Sequence, residues 1–443
     1  MKPQPYPTLC LLALAAYCSI SCSFDNRLRL PPDVSPIGHA TLASCSPNAT
    51  DTPRSCLMLT SPQKQQLWAV DMQTGGVVPA NNRFFPVTVP LQAFASRLAA
   101  VPHPPGAPPS LPFVWALDGT TGRLLAVPIQ GEQTLANQTF AFSSTQKPAA
   151  DVALFTDATQ QTKALITLPQ QQQLQILPIN STTGVADANA AFSITVGSSP
   201  QQIAIDNTGK WAVMTDSDST NVQLLPLTNL SANSSVQSLD VGHPTRLVTI
   251  GNAQLAPQQP LQTIAMVVGD LPPTNNNAQT QITWIHLQPD TGSTILANLK
   301  IQNRATNSQE QTTNNKKMQQ KIDPNKGFVQ AIYMPAGKDI LPCCSHTTEN
   351  QKPWAAVATT NGTLMYIVYD QSQLHINDKD TIAVSDKNQL GPAAVNPVAF
   401  VGGELILPPN SLPPNGMCKR QMFLVYPSLV ASFCEGSSSL RRL

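Results

Sequence analysis

Charge is scarce in this chain. Only 12% of its residues are charged and the net charge is +1 at pH 7, so it lacks the electrostatic footprint that nucleic acid or an acidic membrane surface demands. Sustained helical periodicity is also missing, because 41 prolines and 22 glycines, among abundant Gln, Asn, Thr and Ser, punctuate the chain with turns. There is no Gly-x-Ser-x-Gly elbow, no Walker loop and no Gly-x-Gly-x-x-Gly after a strand. Nor is there a Cys-x-x-Cys-His site for covalent haem or a His-x-x-x-His metal spacing. These absences exclude named families, and no cofactor or metal is implied. They leave open an enzyme whose site is gathered from separate loops, since a scaffold of that kind carries no linear motif.

What is present is a run of short apolar strands. Leu67–Asp71, Val114–Asp118, Leu174–Pro178, Val222–Pro226, Ile282–His286, Leu364–Asp370 and Phe423–Pro427 resemble one another and span the chain at roughly blade-length spacing. Several run into a turn ending in Thr-Gly: Asp71–Gly75, Asp118–Gly122, Asn180–Gly184 and Gln288–Gly292. The glycine supplies positive φ and the Asp or Asn bonds its own backbone, which a tight hairpin requires. The clearest unit opens at VGSSP (Val196–Pro200), runs through two strands, and meets VGHP (Val241–Pro244). Self-similarity of this length marks units that bury their faces only against neighbouring copies. The pattern predicts an all-β chain, a β-propeller of seven four-stranded antiparallel blades.

The unit from Val196 to Pro244 resembles the YVTN repeat family, through Gly197, Pro200, Gly209, Gly242 and Pro244. The resemblance covers one blade well, since the others lose the Gly-x-x-Pro entry. It implies inner strands lining a central channel, and a family that includes extracytoplasmic binding proteins and lactonase-like relatives. The strand and Thr-Gly turn also resemble the repeats of quinoprotein-like propellers, including a scaffold lipoprotein of outer-membrane barrel assembly.

The N-terminus carries Lys2, an apolar run from Leu9 to Ile20 and then small residues and cysteines. That run is too short to cross a bilayer and reads as a secretory signal over 1–21. Ser19-Ile20-Ser21-Cys22 resembles the lipobox of bacterial lipoproteins, with Ser19 where Leu is usual. The resemblance implies lipidation of Cys22, a membrane anchor, and, from Ser23, sorting to the outer membrane. Beyond it lie Cys45, Cys56, Cys343, Cys344, Cys418 and Cys434. An even number in an exported chain predicts disulfides, with about 15 connectivities open. Bridges from Cys45 and Cys56 to the C-terminal cysteines would lock a ring closed. The alternative is two local loops, Cys45 to Cys56 and Cys418 to Cys434.

The expected organisation is a linker over 22–54, the propeller over 55–435 and a tail over 436–443. PHPPGAPPSLP, residues 102–112, is too proline-rich for paired strands and reads as a stiff loop in an early blade. Residues 301–327, which include NRATNSQEQTTNNKKMQQKIDPNKG, hold almost no apolar side chains and read as an exposed polar insertion.

For chemistry, the repeat alignment places His243 and Arg246 at the channel mouth, where the pair could contact an anionic ligand. The competing reading is a surface loop with two solvated side chains. Asp216–Asn221 lacks the glycine and closing Glu of a calcium loop and reads as a polar hairpin. His286, alternating with Trp284, reads as a satisfied interior histidine. The sequons at Asn48, Asn137, Asn180, Asn229, Asn233 and Asn361 are expected by chance in so Asn-, Ser- and Thr-rich a chain. The function expected is a non-enzymatic extracytoplasmic binding or scaffold module, tethered by lipid and partnered by an envelope protein or glycan. The alternative is a lactonase-like or cofactor-dependent propeller enzyme with its site in the channel.

Overall fold

A computed structural model describes residues 36–45, 54–71, 76–77, 89–90, 94–101, 113–128, 138–141, 148–180, 183–256, 258–274, 277–288, 292–303, 328–335, 352–360, 363–376, 382–383, 396–404, 420–434 and 440–442. Its strands form seven separate antiparallel sheets, each built from consecutive strands of the chain. The inner strands, blade 1 to blade 7, are His39–Cys45, Arg97–Ala99, Val152–Thr156, Pro200–Ile205, Leu247–Ala253, Val329–Tyr333 and Ala399–Glu404. Each inner strand touches the inner strands of the blades on either side, and the first touches the last. The chain is a closed seven-bladed β-propeller.

The core is seven walls rather than one centre. Each wall is an apolar cluster shared by two consecutive blades, and alternate residues of a central strand face opposite walls. In blade 1, Cys56 and Met58 face blade 2, where they meet Leu98, Val114 and Ala116. Leu57 and Leu59 of the same strand face Phe423 and Val425 of blade 7. Burial on both faces makes the second and third strands of a blade continuous apolar runs. Thus Phe113–Asp118 and Trp211–Asp216 are buried along their whole length.

That double burial also explains where the sequence alignment slips. The seven matched strands do fall one to a blade, but Val114–Asp118 and Phe423–Pro427 belong to second strands, whereas the other five belong to third strands. Two fully buried central strands have the same composition, so the pattern counts blades without fixing the place in the blade. The limits of the ring differ too. His39–Cys45, inside the expected linker, is the inner strand of blade 1, and Leu440–Arg442, inside the expected tail, is the outer strand of blade 7. HATLASC is short and weakly apolar, as an inner strand beside a channel can be, and so reads as linker. Ile301–Asn303 completes the outer strand of blade 5. The remainder of the expected insertion, 304–327, and the proline-rich 102–112 lie outside the described residues.

Strand order fixes which loops share a face. Links from second to third strands, and from an outer strand to the next inner strand, lie on one face of the ring, here the entry face. Links from first to second and from third to outer strands lie on the other. The glycines of the recognised unit belong to this plan: Gly197 and Gly242 have φ of +71° and +78° and close the links into blades 4 and 5. Gly184, at φ +70°, lies against the ring of Phe113, and its carbonyl accepts from Trp115 Nε1 at 3.1 Å. A Thr-Gly turn of blade 3 is thereby seated on blade 2.

The ring closes without a shared sheet, since blades 7 and 1 meet through side chains and through Ile37 N–H donating to Pro427 O at 2.7 Å. Cys56 is disulfide-bonded and faces blade 2, away from this closure. In the register of blade 1, Cys56 lies opposite Ala43 and Cys45 opposite Arg54. Cys22, Cys343, Cys344 and Cys418 lie outside the described residues.

Candidate polar belt at the channel mouth

Where the inner strands begin, side chains of one blade reach the next around the ring. Leu98 N–H of blade 2 donates to His39 Nδ1 of blade 1 at 3.2 Å. Arg97 Nε of blade 2 stands 3.5 Å from Asp151 Oδ1 at the entry to blade 3. Asp151 Oδ2 accepts from Ile203 N of blade 4 at 3.1 Å, and its Oδ1 accepts from Val152 N at 2.9 Å. Gln202 Oε1 of blade 4 accepts from Val248 N of blade 5 at 3.3 Å. Arg246, entering blade 5, donates from Nη2 to Val329 O of blade 6. Between blades 6 and 7 the contact is aromatic and lies deeper along the strands, where the ring of Tyr333, the last residue of its inner strand, has its centroid 5.5 Å from that of Phe400.

Local backbone irregularity makes this belt. The register of blade 4 shifts between Pro200 and Ile203, and that of blade 6 between Val329 and Ala331. A bulge takes backbone groups out of the ladder and re-aims them. Gln202 N–H therefore turns to Thr215 Oγ1 at 3.0 Å, while Ile203 N–H turns to the carboxyl of the preceding blade.

Asp151 is enclosed by three blades, and burial holds its carboxyl above the ordinary carboxylate range, opposed by Arg97 and by the N–H groups of Ile203 and Val152. His39 is pushed the other way. Burial first, then the Arg97 charge, lower its imidazole to about 3. The bond from Leu98 N–H agrees, because it occupies Nδ1 as an acceptor and leaves the proton of the neutral ring on Nε2. In the unfolded chain His39 titrates near its ordinary value, about 6.5. The folded value is depressed, so the stability held in neutral His39 is complete above about 6.5 and is lost as pH falls towards 3. The expected slope is up to about 1.4 kcal/mol per pH unit, and His39→Gln, which keeps an acceptor, should lack it. Urea unfolding of both proteins between those pH values checks this, and equal acid slopes would refute it.

The structure places His243 inside blade 5. It is 1% exposed, its Nδ1–H donates to Pro244 O at 3.0 Å, and Nε2 accepts from the buried Thr283 hydroxyl at 3.1 Å. Burial lowers its pKa against the pull of Pro244 O, Asp270 and Asp240. Arg246 is part-exposed and bonds Asp270 twice, Nε to Oδ2 at 2.8 Å and Nη2 to Oδ1 at 3.3 Å. His286 Nε2–H donates to Gln262 Oε1 at 2.8 Å, and Asp216–Asn221 forms the link between the second and third strands of blade 4. His39, Arg97, Asp151 and Gln202 were not singled out in the sequence, although the first three stand at or beside the start of an inner strand and Gln202 stands in the bulge of another. Only the strand register marks that place. Among the described residues no three His, Cys, Asp or Glu side chains are grouped to hold a metal ion.

No protein-family model and no curated protein matches the chain. Similar solved structures include hydrazine synthase of Kuenenia stuttgartiensis, 12% identical over 95% of this chain and 99% of that one, TM-score 0.45. A putative 6-phosphogluconolactonase of Bacteroides fragilis is 11% identical over 81% and 82%, TM-score 0.42. The β-propeller domain of Cps50 (Swd1) from Myceliophteria thermophila is 10% identical over 95% and 99%, TM-score 0.44. Likeness at this level says nothing about ligand or activity. Propellers of varied function surround this chain, and its own belt has to carry any functional argument.

Proposed function

We propose that the chain is an extracytoplasmic binding or scaffold propeller, tethered to the outer membrane through lipidated Cys22, whose entry face receives an envelope protein or glycan. The observation that carries this reading is how Asp151, Arg246 and His39, three of the ionisable groups of the mouth, are spent. Asp151 bonds backbone N–H groups of two blades, Arg246 bonds Asp270 and a neighbouring carbonyl, and His39 accepts from Leu98. Groups so engaged hold a rigid rim in place. On the same face, Phe94, 52% exposed, and Phe328, 41% exposed, precede the inner strands of blades 2 and 6. Those two junctions lie four blades apart one way and three the other, so the rings flank the mouth from nearly opposite sides. Large exposed aromatics on a rigid rim suit recognition. The segment ending at Cys22 supports export and tethering.

A photo-crosslinking residue placed at Phe94, Phe328 or Leu261, in the protein expressed in its native envelope, tests the reading. Leu261, 46% exposed, lies on the opposite face. Positions 94 and 328 should give one adduct of common mass that position 261 does not give. Equal adducts at all three, or none at the entry face, would sink it.

A further inference from the structure

We infer that Arg97 is the anchor of the entry face and that it takes a carboxylate from an acidic segment of a protein partner, with Phe94 receiving an apolar group beside it; this rests on the binding reading above. The two arginines of the belt are used differently. Arg246 is bidentate on Asp270 and also donates to Val329 O. Arg97 donates from Nη1 to Ser96 O at 3.1 Å, and its Nε is a buried atom with no hydrogen-bond partner, since Asp151 Oδ1 at 3.5 Å is too far and too poorly aimed. A guanidinium has five N–H donors in a planar fork that matches a carboxylate. Nε is enclosed, so the Nη1 and Nη2 N–H groups left without a partner are the ones that can meet a carboxylate, on a side chain 30% exposed.

Arg97 faces one carboxylate, that of Asp151, in an ion pair 3.5 Å long that no hydrogen bond closes. Asp151 already gives both oxygens to backbone N–H groups of Val152 and Ile203. His39 is neutral and its Nδ1 is occupied. Arg246 and Asp270 answer each other. Among the described residues, the blade 2 corner of the mouth therefore holds the cation least engaged by hydrogen bonds. Phe94 lies three residues before Arg97 in the same entry segment, held there by its N–H on Asp118 Oδ2 at 3.1 Å. Cation and exposed aromatic together favour an acidic residue with an apolar neighbour. A neutral glycan would use the ring and leave the guanidinium unanswered.

N-acetylphenylalanine, which joins a carboxylate to a phenyl group, is the probe, with its neutral amide and maltose as controls, read by saturation-transfer NMR on the full mature chain. The acid should bind with a Kd of the order of millimolar and the amide about tenfold or more weaker. Arg97→Gln should lose about tenfold or more in affinity for the acid, and Phe94→Ala should weaken it. Asp151→Asn removes the competing charge and should tighten binding. The inference is overturned if the acid fails to bind, if the amide binds equally, if maltose binds in place of the acid, or if Arg97→Gln keeps the affinity. Should Arg97→Gln not fold, Asp151→Asn decides, and unchanged affinity there overturns it. Adducts at 94 and 328 without carboxylate preference would reject this anchor and leave the binding reading standing. Carboxylate binding without adducts would do the reverse.

Discussion

Gly269→Ala should destabilise the protein by about 4 kcal/mol, because the added methyl has nowhere to go. A Cβ at Gly269 would collide with Pro244 O and stand 2.5 Å from His243 Nδ1 and 2.8 Å from Pro244 C. Backbone has to move to relieve that collision. Overpacking of this kind costs about 1–3 kcal/mol. The displaced segment carries His243 away from Thr283, whose hydroxyl is 0% exposed and has no water to turn to. An unsatisfied buried group adds about 1–3 kcal/mol. For a chain of this size, unfolding entropy near 2 cal/mol/K per residue turns that loss into a fall in Tm of about 5 °C. Gly197→Ala is the control. Nothing lies within 4 Å of a Cβ there, so only its positive φ is penalised, by about 1–2 kcal/mol. Calorimetry and urea unfolding of the two variants decide the matter. A Gly269→Ala cost no larger than that of Gly197→Ala would refute the packing role assigned to the His243-Pro244 turn.

The same glycine shows what the sequence can and cannot convey. Gly197, Gly209 and Gly242 stand out as repeat punctuation, and in the structure all three have positive φ. Gly269 has no motif around it, since its need comes from a segment 25 residues upstream that only the fold brings near. Blade number was legible because double burial writes each central strand as an apolar run, as in Val114–Leu117 and Ile282–Ile285. Place in the blade was not, because second and third strands share that burial. Inner strands were the least legible element. Arg97–Ala99 is three residues long and HATLASC is nearly colourless in hydropathy. The belt residues stand at the starts of these faint strands or, for Gln202, in a bulge within one, so His39, Arg97, Asp151 and Gln202 escaped notice. Arg246 could be singled out because the one well-matched unit leads directly into blade 5. His243 was found the same way, but alignment cannot tell which way a side chain turns, and Thr283 sits on a strand 40 residues on.

Asp151→Ala should cost about 3–5 kcal/mol, chiefly through the backbone groups it abandons. Its ion pair with Arg97 is 3.5 Å long and partly exposed, and such pairs contribute up to about 1 kcal/mol. The larger share lies in Ile203 N–H and Val152 N–H, both buried and both aimed at this carboxyl. Each orphaned donor costs about 1–3 kcal/mol. Ile203 N–H has no ladder partner to return to, because the bulge that frees it is built into the register of blade 4. Asp151→Asn keeps one acceptor oxygen and should lose less. The pH dependence gives a second readout with a definite sign. The folded carboxyl titrates above its ordinary value because burial penalises the charge, so the native state binds the proton more tightly than the unfolded chain does. The stability held by protonated Asp151 is complete below about 3.9 and is lost as pH rises through the folded value. The advantage of wild type over Asp151→Asn should therefore shrink as pH rises through that window, opposite in direction to the His39 effect. An Asp151→Ala cost below 1 kcal/mol would show that the tangential bonds between blades 2, 3 and 4 contribute little, and that the seven apolar walls alone hold the ring in register.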